Sequence, residues 1–178
     1  MPELKYPLTQ AQKKTRPKFE DVAGDFLPGD RLKYALDFAA FLRENNANPA
    51  WASTNSWNSD YKGQRLCSIH IPYDPYTPLA GTGTWIIRPA GWYGGEFENF
   101  ITNDKDKEIM WSCVKQCHAC YGRYTGKKRP CNFAQGNDKE IFGRLFKSVC
   151  GYLVIMNPGG DVLDFAKKWV EAKIKTLT

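Results

Sequence analysis

The sequence predicts an α+β fold with an antiparallel or mixed sheet, flanking helices and a cysteine-rich loop. Three observations carry this. Apolar residues recur at helical spacing near both ends of the chain, short β-branched and aromatic runs separated by Gly and Pro turns fill the stretch between residues 51 and 90, and no regular strand–helix alternation of a parallel sheet occurs.

The first 30 residues contain Pro2, Pro7, Pro17 and Pro28, so they read as an extended arm, followed by a single α+β domain over 31–178. In GDRLKYALDFAAFLRENN, Asp30 is placed to cap a helix whose Leu32, Ala35, Leu36, Ala39 and Leu42 share one face. The segment WASTNSWNSDYKGQRLCSIHIP reads as a hairpin turning at Tyr61-Lys62-Gly63, with Cys67, Ile69 and Ile71 alternating inward. TWIIRP is a further strand stopped by Pro89, which cannot donate to a ladder.

EFENFI is a short helix, and NDKDKEIMWSCVKQC is a longer one, with acids in its first turn and Ile109, Met110, Cys113, Val114 and Cys117 on one stripe. RLFKSVCGYLVIMN reads as a buried strand. The chain closes with a helix capped by Asp161, whose Val162, Phe165, Ala166, Trp169, Val170 and Ile174 face the core.

Hydrophobic residues make up 42% of the chain against 25% charged, which excludes a disordered class. The longest aliphatic run, YLVIM at 152–156, is far below the ~20 residues of a membrane span, and no secretory signal pattern stands at the N-terminus. The expected setting is the cytoplasm, where six cysteines are thiols, metal ligands or redox groups before they are disulfides. A net charge of +6 permits nucleic-acid contacts without demanding them.

The chemistry concentrates in CVKQCHACYGRYTGKKRPC, residues 113–131, which holds four of the six cysteines and no acid. Cys117 and Cys120 have the two-residue gap of a metal knuckle, in which a tight turn brings both sulfurs to one ion. Cys131 and Cys150 complete a four-thiolate set of the kind that holds structural zinc, and the loop cations offset its negative charge. Cys113, one turn before the knuckle, and His118, inside it, are alternative ligands.

The Cys-x3-Cys-x2-Cys spacing from Cys113 matches the iron–sulfur loop of radical enzymes, but the preceding helix and Ala119 do not suit that motif. An iron–sulfur cluster of another kind, or a thiol redox site on Cys113, Cys117 and Cys120, remains the enzymatic alternative. Against a thioredoxin-like site, the CxxC follows a helix instead of opening one.

Trp57, Trp85, Trp92 and Tyr93 belong to an aromatic-rich stretch that either packs the core or walls a ligand pocket, and His70 falls on the strand face opposite Cys67, Ile69 and Ile71. GRYTGKKRP places Arg123, Lys127, Lys128 and Arg129 around Tyr124, a patch suited to phosphate contacts and base stacking or simply to water. No phosphate-cradling glycine loop or HExxH occurs.

In YALDFAAFLRENN, EIMWSCVKQCHAC, IFGRLFKSVC and NPGGDVLDFAKKWVEA, about half the chain, the sequence resembles a set of small uncharacterised bacterial proteins. The resemblance implies no activity. It implies that Cys117, Cys120 and Cys150 belong to a shared pattern, whereas the surroundings of Cys131, KKRPCNFAQGNDKE, form a longer loop than the pattern has. The expected function is a non-enzymatic binding domain for a small molecule or a protein partner, built around a zinc-clipped loop.

Overall fold

The computed structural model describes residues 5–73, 79–91, 96–115, 137–149 and 153–178. Among these described residues it shows an α+β fold with five α-helices, a five-stranded antiparallel sheet and a two-stranded antiparallel sheet. Two compact units are present, one formed by Met1–Ala90 with Ile155–Thr178 and the other by Gly91–Val154.

The first unit opens with helices α1 (Lys5–Thr15), α2 (Phe19–Phe26) and α3 (Gly29–Glu44). The expected extended arm is therefore helical over most of the described part of 1–30. The prolines punctuate the helices instead of forbidding them: Pro17 lies between α1 and α2, and Pro28 is the N-cap residue of α3. Phe19, Val22 and Ala23 of α2 are buried, so this segment belongs to the core. Asp30 lies in the first turn of α3, where its charge favours the helix dipole, but it is not the cap.

Strands β1 (Pro49–Ser53), β2 (Ser56–Tyr61), β3 (Gln64–His70), β4 (Ile86–Pro89) and β7 (Ile155–Met156) pair antiparallel in the order β1-β2-β3-β4-β7. Lys62 and Gly63 make the β2–β3 turn with φ of 46° and 78°, as a tight hairpin turn of matching twist requires. Gly83, at φ +65°, lies so close to Pro28 that a Cβ there would stand 2.6 Å from its Cδ.

One sheet face carries Trp57, Ile69, Ile87 and Ile155 across β2, β3, β4 and β7, all buried. Helices α2, α3 and the last helix α5 (Asp161–Thr176) pack on the sheet, bringing Phe19 edge-on to Trp57 at 5.2 Å and Phe38 to within 6.2 Å of the Trp85 ring. On α5 the buried residues are Leu163, Phe165, Ala166, Trp169 and Val170; Leu163 rather than Val162 turns inward, and Gly160, not Asp161, is the cap.

The second unit contains a 3-10 turn (Glu96–Asn99), α4 (Asp104–Cys113) and the hairpin β5 (Asn137–Ile141) with β6 (Arg144–Val149). Asn103 caps α4 by accepting a hydrogen bond from Asp106 N at 2.8 Å. The expected single buried strand over 144–157 is two elements: β6 pairs only with β5 and is largely exposed, and Ile155–Met156 enters the main sheet. Helical stripe reasoning also ran past the end of α4, which stops at Cys113 with Val114 extended.

Candidate functional site

The candidate residues divide into thiols and a polar sheet face. Of the six cysteines, Cys67 and Cys113 are described, and both are buried free thiols. Cys67, on β3, is fully buried, and its thiol is pushed up to about 12 by loss of solvent, only partly offset by a hydrogen bond with Ser59 and the charge of Arg65. Cys113 ends α4, 3.8 Å from the Ser112 hydroxyl, and burial raises it as well.

Cys117, Cys120, Cys131, Cys150 and His118 lie outside the described residues, as do Arg123, Lys127, Lys128, Arg129, Trp92 and Tyr93. Among the described residues no group of three or more His, Cys, Asp or Glu gathers as a metal site.

Trp57 and Trp85 are fully buried. Trp57 donates from Nε1 to the Pro17 carbonyl at 2.9 Å, tying β2 to the start of α2. Trp85 is held by Asn157, whose Oδ1 accepts its backbone N–H at 2.9 Å and whose N–H donates to its carbonyl at 2.8 Å. Both indoles are core groups, because β2 and the entry to β4 direct them toward the helices.

His70 stands on the opposite sheet face, half-buried at the end of β3. Its ring is held neutral, with a pKa lowered to about 4, first by burial and then by the positive charge of Arg88, with an opposing contribution from the Asn55 backbone. The register sets it between Ser56 on β2 and the buried Ile86 on β4, with a polar row one step along the strands. Asn58, Ser68 and Arg88 are successive partners across β2, β3 and β4, and Ser56 is the partner of His70 in the neighbouring row. Sequence reasoning singled out His70 but not Ser56, Asn58 or Arg88. The period-two alternation of each strand contained that signal, but the register that aligns the strands did not.

In the second unit Arg144 lies between the rings of Trp111 and Phe146, its guanidinium carbon 5.3 Å from each centroid. Trp111 also donates from Nε1 to the Ile141 carbonyl at 2.8 Å, so helix α4 is pinned to the hairpin. Lys147 pairs with Asp138 across the same hairpin at 2.8 Å. None of these contacts was legible from spacing.

Among the described residues no helix is long and apolar enough to cross a membrane. Comparison with protein-family models, curated proteins and solved structures found no match for the chain.

Proposed function

We propose that the protein is a non-enzymatic binding domain whose cysteine loop is clipped by a structural zinc ion through Cys117, Cys120, Cys131 and Cys150. The carrying observation is the placement of the other two cysteines: Cys67 and Cys113 are buried free thiols, each beside a serine hydroxyl. Removing them from six leaves four, the number a closed tetrahedral zinc site takes, including the one Cys-x2-Cys pair.

The β5–β6 hairpin supports the same reading. Asn137 and Val149 are register partners at its open end, so the hairpin brings the chain back to its starting point. Cys150 follows Val149 directly, and Cys131 precedes Asn137 by six positions (137 − 131), a span of at most roughly 20 Å when extended. The return of the hairpin leaves a chain length that permits Cys131 and Cys150 to approach one ion.

The redox alternative, with thiol or iron–sulfur chemistry on Cys113, Cys117 and Cys120, draws on Cys113 as a thiolate, and its burial opposes that state. Zinc content decides between the readings. Cys117→Ser or Cys150→Ser loses the ion, whereas Cys67→Ser and Cys113→Ser retain it.

A further inference from the structure

We infer that the sheet face bearing His70 is a site for a compact oxyanion, a phosphate or carboxylate group, with Arg88 supplying the charge, Ser56, Asn58 and Ser68 the hydrogen bonds, and the His70 ring a neutral wall beside them. The register places these five residues on three adjacent strands: Asn58 opposite Ser68, Ser68 opposite Arg88, and Ser56 opposite His70. Strands lie about 4.8 Å apart, so the group spans about 10 Å, the scale of one small anion with its hydrogen-bond donors.

The site is positioned by the centre of the sheet and not by a loop, which limits its reorganisation on binding. Arg88 is exposed, and among the described residues it has no ion pair or hydrogen-bonding partner. Asp60, the acid at the far end of β2, is engaged by Arg65. Among the described residues the face thus presents a guanidinium with no carboxylate partner, whose planar fork matches a phosphate or carboxylate in two-point contact.

Serine hydroxyls and the Asn58 amide add neutral donors beside it. Half-burial strengthens each of these hydrogen bonds relative to water. The neutral His70 ring gives its one N–H to the Asn55 backbone and stands beside the anion as an uncharged neighbour, which Arg88 helps to keep neutral.

This inference deepens the reading of a binding domain and is independent of the metal clip. The test uses the full chain and follows the ring proton signals of its two histidines, His70 and His118, with His70→Gln assigning the pair. Inorganic phosphate and acetate are titrated separately at constant ionic strength. The expected result is a saturable shift of the His70 signals with at least one of them, weakened about tenfold or more in Arg88→Gln, the scale of losing a hydrogen bond to a charged group. The anion that saturates at lower concentration identifies the class.

His70 signals unmoved by both anions, a shift that grows linearly without saturating, or unchanged binding in Arg88→Gln would each overturn the site. Zinc content of the same samples keeps the two proposals apart: a zinc-loaded chain that binds neither anion removes the oxyanion site and leaves the clip standing.

Discussion

Gln12 and Asn55, 43 residues apart, are joined inside the first unit by a paired contact: Gln12 Nε2 donates to Asn55 Oδ1 at 2.6 Å, and Gln12 Oε1 accepts from Asn55 N at 2.8 Å. The same oxygen accepts from Trp51 Nε1 at 3.3 Å, and Thr54 meets Thr9 at 3.0 Å. Of the α1 side chains from Leu8 to Thr15, only Gln12 is buried, so among these described side chains one carboxamide is the main tie to the β1–β2 turn.

Gln12→Ala should therefore cost about 2 kcal/mol, because it strands buried partners and does not merely delete a contact. Denaturant unfolding reads the cost. Limited trypsin digestion should show faster cleavage at Lys13 and Lys14, and an unchanged cleavage rate would show that α1 is held by something else.

Trp57 is a core residue, and its replacement should act on stability alone. Trp57→Phe removes the hydrogen bond to the Pro17 carbonyl and part of the packing against Phe19, a loss of about 1–3 kcal/mol. Titration of the folded variant with phosphate should match the parent. A variant of parental stability would contradict the assignment.

His70 gives stability a pH dependence with a definite sign. Its folded pKa lies near 4 and its ordinary value at 6.5, so between these the unfolded chain binds a proton that the native state refuses. This contribution is fully present above about pH 6.5 and is lost as pH falls toward 4, at most a few kcal/mol. Unfolding free energies across that window should fall with acid in the parent and less steeply in His70→Gln. Parallel curves would show that the ring protonates freely in the fold.

The sequence revealed most of the scaffold and little of the site. Helices α3 and α5 and the β2–β3 hairpin were legible because the periods of Ala35, Ala39 and Leu42, of Phe165, Ala166, Trp169 and Val170, and of Cys67, Ile69 and Ile71 are local signals. Helices α1 and α2 were hidden by prolines at their boundaries, and α1 offers no apolar stripe, since its buried residue is a glutamine whose partner lies 43 positions away. The first hairpin, β1–β2, was also missed, because its turn at Thr54-Asn55 lacks glycine and relies on Asn55 at φ 49°. The Asn58–Ser68–Arg88 row exists only once register is set, and register depends on packing across the whole sheet.

The metal clip answers to zinc analysis of the metal-unsupplemented protein together with thiol counting before and after denaturation. About one zinc per chain and no visible absorption are expected. Native thiols should be unreactive, Cys67 and Cys113 through burial and the other four through the ion; a chelator should expose about four thiols, and denaturation the remaining two. Metal-free protein in which Cys117, Cys120, Cys131 and Cys150 react freely, or protein containing iron with visible absorption, would contradict it.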